Sequence, residues 1–550
     1  MSTGTAPMDE RDDGEDGHHV FWADEVADQI EARDPDEPII IKGGISPSGV
    51  PHLGNVNEIM RGYFVAEALR ERGRKVRQVF TADDRDPLRK LPRKLADLDG
   101  NIVELGDVNA GALGRNLGKP YTDIPDPFDC CDSYGEHFSN LIQQSADLLG
   151  VPIDVVSNTE MYESGDLEDV TAEILDRSEK AREVLAEYQD KVDDEYVPFN
   201  PICAECGKIT ETVTDFDIEE GTVEYVCTDL KAGDNTIDGC GHEGTATLRE
   251  GKLPWRFEWP AQWKTLGVDF EPFGKDHAEG SWPSGEDIAR NVMYFEPPVP
   301  MTYEWFTLNG KPFSSSEGNI VLVAEVLELL EPEVLRYFFT KDPNKARDFD
   351  IGRLDLLVDE FDRFERIYFG EETADERETA IAERIYSMVV DEIRPERTRI
   401  PYTFAAILGM TDDPDLREEI ARKEGHIPDD APDWAVEEAL ARVERAQTWA
   451  QRTSNEYDYD LKRTEMPEAD IDAETAVALD ELAAFIETGH DGDEIQEEIY
   501  ETAKRHDIDM GDFFGTGYRL FFDEEQGPKL GPFLSNLDRE FVLRRLRREG

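Results

Sequence analysis

Hydrophobic and polar positions follow two different periods in the first third of the chain. Apolar runs predict strands over 38–45 and 76–82, and the amphipathic stretch between them predicts a helix over 56–72. A strand, a helix and a strand in this order predict a β-α-β unit, the start of a parallel nucleotide-binding sheet. The charged, Gly/Pro-rich stretch 83–129 then predicts an insertion in that sheet. Helical spacing occurs in three further segments, at 21–33, 133–149 and 167–190.

The pattern changes beyond about Glu331. Three segments there, 433–453, 473–487 and 492–505, are amphipathic with helical spacing and contain few β-branched runs. We therefore predict an all-helical domain over 346–550.

The chain carries a large excess of negative charge. Aspartate and glutamate number 125 against 58 lysines and arginines, so the formal net charge is -67. At molar ionic strength the Debye length falls to about 3 Å, which screens the repulsion between these carboxylates. We therefore expect a halophilic protein adapted to a salt-filled cytoplasm. Because 39% of the residues are hydrophobic and 9% are aromatic, we do not expect a disordered chain.

Two further features concern the cellular compartment. No apolar run approaches the ~20 residues of a membrane helix, and the first 20 residues lack the apolar core of a signal peptide. Six cysteines in 550 residues are typical of a reducing environment. We expect a cytoplasmic protein with a disordered tail over 1–20 and no membrane partner.

The turn that follows the first predicted strand has the composition of a phosphate-binding loop. Residues 43–55 read G-G-I-S-P-S-G-V-P-H-L-G-N and lead into the predicted helix. Gly49 and Gly54 allow the backbone to approach a ligand closely, and a helix N-terminus attracts phosphate. His52 and Asn55 are side chains suited to phosphate contacts at that point.

A second loop of small residues lies some 260 residues further on. Residues 313–319 read F-S-S-S-E-G-N, a segment able to close over phosphates as a mobile flap. Ser314, Ser315 and Ser316 offer hydroxyl donors, and Lys311 precedes them. Either loop alone would be a weak indication, since a serine-rich surface loop is common.

Four cysteines have the spacing of a zinc site. Cys203 and Cys206 form a C-x-x-C pair, and Cys227 and Cys240 follow with glycine-rich turns around Cys240. Four thiolates leave no open position, so we predict a structural zinc ion. Two alternatives stay open: a redox pair, and His242 in place of Cys240 as the fourth ligand. We expect the adjacent Cys130 and Cys131 to be packing residues.

Five more motifs, in this order, make the pattern specific: P-D-P-F-D-C-C-D-S-Y-G-E-H-F at 125–138, W-R-F-E-W-P at 255–260, F-E-P-F-G-K-D-H at 270–277, E-P-E-V-L-R-Y at 331–337 and P-N-K-A-R-D-F-D at 343–350. With the two loops, they resemble class I lysyl-tRNA synthetases from about Phe21 to Phe369, and more loosely beyond. The resemblance implies an α/β fold, in which a Rossmann-like catalytic domain with a zinc-binding insertion precedes an all-α anticodon-binding domain. The expected segments are a tail at 1–20, catalytic halves at 21–199 and 253–345, the zinc insertion at 200–252 and the helical domain at 346–550.

The resemblance also implies the reaction and its residues. Lysine and ATP, with Mg²⁺, would form lysyl-adenylate, and lysine would then pass to the terminal ribose of its tRNA. His52 and Asn55 would bind the ATP phosphates, and Gly274 and Asp276 would lie at the ATP site. A lysine pocket would be lined by Gly44, Ser46, Trp255, His277 and Tyr303. Aromatic faces suit a cation on a hydrocarbon stem, and Glu258 is a candidate counter-charge. We expect a monomer or a weakly associated protein.

The flap departs from the family. Its members usually read K-M-S-x-S-K-G-N, whereas Pro312, Ser315 and Glu317 stand here where lysines are expected. Three interpretations follow: Lys311 reaches the phosphates, or hydroxyls, backbone and Mg²⁺ suffice at high salt, or the enzyme is degenerate.

Three alternative functions remain at this point. A glutamyl- or glutaminyl-tRNA synthetase of the same subclass would need a cation or amide donors in the pocket, where the sequence offers aromatic residues. A small-molecule nucleotidyltransferase would not need 200 helical residues after the sheet. A non-catalytic RNA-binding paralogue is the third alternative, because the flap lysines are missing.

Overall fold

The computed structural model describes residues 19–189, 192–233, 235–313 and 319–549. Its strands are, in chain order, β1 (Ile39–Ile45), β2 (Val76–Ala82), β3 (Lys94–Ala96), β4 (Ile102–Glu104), β5 (Asp154–Ser157), β6 (Asn200–Pro201), β7 (Val213–Asp217), β8 (Thr222–Val226), β9 (Leu230–Ala232), β10 (Asn235–Ile237), β11 (Glu243–Thr247), β12 (Gly251–Lys252), β13 (Phe270–Gly274), β14 (Val299–Tyr303), β15 (Phe306–Leu308) and β16 (Arg347–Phe349).

The α-helices are α1 (Trp22–Glu31), α2 (Leu53–Glu71), α3 (Ala110–Arg115), α4 (Tyr134–Leu148), α5 (Asn158–Ser164), α6 (Glu168–Asp176), α7 (Ser178–Leu185), α8 (Trp255–Leu266), α9 (Lys275–Ala278), α10 (Ser281–Asn291), α11 (Val323–Leu327), α12 (Pro332–Thr340), α13 (Leu354–Tyr368), α14 (Glu376–Val389), α15 (Tyr402–Leu408), α16 (Pro414–Lys423), α17 (Asp433–Thr453), α18 (Ala473–Glu487), α19 (Gly492–Arg505), α20 (Met510–Phe522), α21 (Leu530–Asn536) and α22 (Arg539–Leu546). None of them is both long enough and apolar enough to cross a membrane.

A five-stranded parallel sheet forms the centre of the first half, with strand order β14-β13-β1-β2-β5. In β1, Ile39, Ile40 and Ile41 are at most 8% exposed, as expected for a parallel strand covered on both faces. Because the strands are parallel, their carboxyl ends meet at one edge, where ligands bind in open α/β sheets. The predicted α/β class with a Rossmann-like sheet is confirmed.

The observed elements follow the predicted ones closely, with two differences. Helix α2 begins at Leu53, three residues before the predicted start, because the side chains of His52 and Asn55 cap its first turn. The predicted helix 167–190 is two helices, α6 and α7. They meet at Arg177, whose backbone leaves the helical region (φ -108°, ψ 27°) while its guanidinium donates to the Val292 carbonyl.

Two insertions leave the sheet on the side of the carboxyl ends. The first contains the β3–β4 hairpin and α3, packed around Leu95, Leu113 and Tyr134. The second runs from β6 to β12 and contains the antiparallel sheet β11-β8-β7. Strand β12 pairs with β6 and so closes the second insertion on itself before α8 returns to the main sheet.

Beyond β16 the described chain is helical. The three helices predicted at 433–453, 473–487 and 492–505 are confirmed as α17, α18 and α19. Asp472 and Asp491 cap the last two, accepting hydrogen bonds from the first free backbone N–H groups. Strand β16 pairs in parallel with β15, the strand that follows β14 of the main sheet. This pairing connects the start of the helical region to the first half of the chain.

Candidate active site and metal centres

A cavity of about 580 Å³ lies at the carboxyl ends of β1, β13 and β14. The structure brings ten of the predicted site residues together on its wall: Gly44, Ser46, His52, Gly54, Asn55, Trp255, Gly274, Asp276, His277 and Tyr303. They come from four separate parts of the chain. This size and a wall of aromatic and small residues with a few polar groups are typical of a small-molecule site.

The phosphate-loop residues form the entrance to α2. The His52 imidazole Nδ1 accepts from the Gly54 N–H at 3.1 Å, and the Asn55 side chain accepts from the His52 N–H at 2.9 Å. Burial lowers the pKa of His52 to about 4, so the ring is neutral at pH 7. With Nδ1 as the acceptor, the proton is on Nε2, and the ring stacks on Phe313 at 4.9 Å. His52 can therefore donate one hydrogen bond to an anion at the helix N-terminus.

Two glycines leave room for neighbouring side chains where the strands end. A Cβ at Gly44 would lie 2.5 Å from the Thr81 hydroxyl oxygen, and one at Gly274 would lie 2.6 Å from an Asp276 carboxylate oxygen. Gly49 does not line the cavity. Its turn borders the first insertion, since a Cβ there would lie 3.9 Å from the Pro92 Cβ.

The aromatic side of the cavity narrows into a recess of about 40 Å³. Trp255, His277 and Gly44 line both spaces. Trp255 stacks on Trp259 with a centroid distance of 5.1 Å, and its ring lies 6.1 Å from that of His277. The recess offers apolar faces to a ligand stem, with polar groups at its sides.

Glu58 is a site residue that sequence reasoning missed. It lies on α2, lines both the cavity and the recess, and accepts from the Gly44 N–H at 2.7 Å and from the Tyr303 hydroxyl at 2.9 Å. Burial raises the pKa of this carboxyl to about 7, despite the hydrogen bond from Gly44. The available signal was an acidic residue one helical turn after Asn55 on a helix whose neighbours there are apolar.

Glu258 does not line the cavity. Its carboxylate is fully buried and already paired with the Lys252 ammonium at 2.7 Å and the Tyr162 hydroxyl at 2.8 Å. Lys252 also contacts Asp86, which does line the cavity, as does Asp83. Burial and the neighbouring carboxylates of Glu258 and Asp86 raise the pKa of Asp83 to about 8.

The flap residues are placed only in part. Ser314, Ser315 and Ser316 lie outside the described residues. Pro312 and Phe313 line the cavity, whereas Lys311 is exposed and does not. On the other side of the flap, the Asn319 amide donates to the Pro312 carbonyl at 2.8 Å.

The four predicted zinc ligands converge. The sulfur atoms of Cys203, Cys206, Cys227 and Cys240 all lie within 4.8 Å of one another, and His242 is not a member of this cluster. Cys203 and Cys240 sulfurs are 3.6 Å apart, and those of Cys206 and Cys227 are 3.7 Å apart. Tetrahedral zinc with Zn–S bonds of about 2.3 Å needs sulfurs about 3.8 Å apart, so the donor set fits zinc.

A second group of potential ligands corrects the expectation for Cys130 and Cys131. Cys130 is exposed, and both sulfurs lie within 4.8 Å of ligand atoms of Asp126 and His137. The Cys130 sulfur is 3.3 Å from His137 Nδ1, while His137 Nε2 lies 2.8 Å from the Ala96 carbonyl oxygen. A histidine held in this way through its other nitrogen is typical of a metal ligand. The spacing D-x3-C-C-x5-H, which lies within the longer motif at 125–138, is the sequence signal that could have indicated this group of ligands.

The sequence of the chain is similar to those of known proteins. The family described as tRNA synthetases class I (K) matches residues 20–391. The chain is 71% identical to a lysine–tRNA ligase of Haloarcula marismortui, over 96% of this chain and 97% of that protein. It is 70% identical to a lysine–tRNA ligase of Halobacterium salinarum over 98% of both, and 34% identical to one of Pyrococcus horikoshii over 96% of this chain and 100% of that protein.

Proposed function

The chain belongs to the class I tRNA synthetases of the lysine group, and from this premise we propose that it acts as a lysine–tRNA ligase. One observation carries the proposal. A single cavity contains the loop that caps the N-terminus of α2, where phosphates can bind, and it continues into an aromatic recess lined by the Glu58 carboxylate. A lysine carboxylate oxygen attacks the α-phosphorus of ATP, the bond to the β-phosphate oxygen breaks, and pyrophosphate leaves. A ribose hydroxyl of tRNA then attacks the carbonyl carbon, and AMP leaves.

The protein contributes position and charge to this chemistry. His52 donates from Nε2 to a phosphate oxygen at the start of α2. The N–H groups of that first turn also stabilise the negative charge of the phosphate. Gly274 and Asp276 line the same cavity and would contact the nucleotide. Mg²⁺ would accompany the phosphates, which supply several of its ligands.

Glu58 is the partner that we assign to the lysine side-chain ammonium. It lines the recess beside Trp255 and His277. Asp83 and Glu271 line the recess too, but Asp83 Oδ1 already accepts from the Asn158 and Gln262 amides, and Glu271 is paired with Lys42. Glu258 is likewise already paired with Lys252. The indole face of Trp255 would cover the hydrocarbon stem. Glutamate would need a cation instead. No lysine or arginine lines the larger cavity among residues 19–189, 192–233, 235–313 and 319–549, and Lys42, which lines the recess, is already paired with the Glu271 carboxylate at 2.8 Å.

The first insertion carries the cations that a tRNA needs. Residues 85–94 contain five lysines and arginines and one acid, in a chain where acids outnumber cations 125 to 58. Arg89, Lys90 and Arg93 of this segment are exposed, and Pro92 borders the Gly49 turn beside the cavity. We assign this segment to phosphates near the acceptor end of tRNA. The helices beyond β16 would bind the anticodon region.

Two metal positions support the insertions. The Cys203, Cys206, Cys227 and Cys240 thiolates would hold a structural zinc ion, which the second insertion needs because it is small and built of short strands. The group of Asp126, Cys130, Cys131 and His137 has the donor types of a second zinc site. When bound, these ions supply cross-links and take no part in the transfer.

Amino-acid-dependent ATP–pyrophosphate exchange tests the function. At molar KCl, lysine should support exchange, while glutamate and glutamine should not. Aminoacylation of a lysine-accepting tRNA should follow. Absence of exchange with lysine would refute the assignment, and exchange with glutamate would favour the related synthetases.

A further inference from the structure

Trp305 occupies an unusual position on the cavity wall. It follows the end of β14 and is 50% exposed, although it lines the same cavity as Gly274 and Phe306. Trp255 is the other exposed tryptophan on this wall, at 36%. Trp255 extends into the small recess, whereas Trp305 does not line that recess. The two indoles therefore belong to different parts of the cavity.

The ring of Trp305 is held in place from one side. The Lys275 ammonium lies 5.1 Å from the ring centroid, and it is fixed by an ion pair with Glu304 at 2.5 Å. Cation–π contact of this kind orients an aromatic ring. Gly274 allows the close approach, since a Cβ there would lie 3.1 Å from the indole Nε1. The indole is thus a preformed surface that remains open on the side of the cavity.

We propose that Trp305 is the surface on which the adenine ring of ATP stacks. The proposal rests on the function proposed above and assigns a part of the nucleotide that the phosphate loop does not reach. The phosphates lie at His52, and the lysine lies in the recess with Trp255. Gly274, Trp305 and Thr307 line another part of the same cavity, and we place the base there because Trp305 offers an exposed indole. An indole suits this role because every base has a π-face, and the contact needs no particular hydrogen bond.

Exchange kinetics without tRNA test the assignment. Trp305→Ala should raise the KM for ATP about ten-fold, within the roughly five- to hundred-fold range for loss of one base–aromatic contact. Trp305→Phe, which keeps a ring, should recover most of the wild-type KM. The KM for lysine should change less than two-fold in both variants. Trp255→Ala is the matched control, because it should raise the KM for lysine and leave that for ATP nearly unchanged.

The outcomes separate this proposal from the function it rests on. Lysine-dependent exchange by the wild type tests the function, and the selective change in ATP KM tests the role of Trp305. An unchanged ATP KM in Trp305→Ala would overturn the assignment. So would an effect confined to the KM for tRNA in aminoacylation, which would place the 3′-terminal adenosine on Trp305 instead. Equal losses for ATP and lysine, without recovery in Trp305→Phe, would indicate a structural role and also overturn it.

Discussion

Replacement of Glu58 by glutamine tests the assignment of the lysine ammonium. The pKa of Glu58 is raised from 4.5 to about 7. Burial is the main cause and the Glu271 carboxylate acts in the same direction, while the Gly44 N–H, Lys42 and the Tyr303 hydroxyl oppose the rise. This rise corresponds to about 3 kcal/mol. Because the folded pKa lies above the unfolded one, the stabilisation from the protonated form is complete below about pH 4.5. It is lost as the pH rises towards 7.

A bound ammonium offsets that loss, so lysine binding should strengthen as the pH rises from 6 to 7.5. The amide of Glu58→Gln can still accept from Gly44 but carries no charge. We expect the KM for lysine to rise roughly 10- to 150-fold, the scale of a hydrogen bond to a charged group, with the KM for ATP nearly constant. The ligand-free variant should be more stable than the wild type at pH 8, by up to about 3 kcal/mol.

Pyrophosphate exchange and thermal unfolding at molar KCl, each at pH 5.5, 7 and 8.5, provide the measurements. Asp83 also titrates in this range, with a pKa of about 8, so the informative quantity is the difference between variant and wild type. Glu279→Gln, at an exposed position just after α9, is the control for loss of one surface charge. A lysine KM that is unchanged in Glu58→Gln, or a pH dependence equal to that of the wild type, would refute the reasoning.

Three further outcomes are expected. Metal analysis should find two zinc ions per chain, and the Cys206→Ser and Cys130→Ser variants should each bind only one. In Cys206→Ser the second insertion should also become disordered. Two zinc ions in either variant would contradict the site that contains the replaced cysteine. Lowering KCl from molar to 0.1 M should unfold or inactivate the protein, because the Debye length grows from about 3 to about 10 Å; full activity at low salt would show that the acidity is not an adaptation to salt. Lys311→Ala should slow adenylation roughly ten- to a thousand-fold with little change in ATP affinity if this cation meets the departing pyrophosphate, whereas a near-normal rate would make Lys311 a solvated loop residue.

Local patterns in the sequence were sufficient for the elements and for much of the site. Strand β1 begins with three consecutive isoleucines, and the caps of α2 lie within three residues of each other, so both depend on near neighbours. The convergence of Cys203, Cys206, Cys227 and Cys240 was predicted from their spacing. The family followed from the order of short motifs.

Only the tertiary structure decided which charged groups face the cavity. Glu58 meets Tyr303 across 245 positions of the chain, and Glu258 is satisfied by Tyr162 across 96. Periodicity cannot distinguish a carboxylate that is paired in the core from one that is open to a ligand, since both lie on buried faces. That difference depends on which distant strand or helix packs against the residue. The same reason explains why the exposure of Trp305, and its contacts with Lys275 and Gly274, could be seen only in the folded protein.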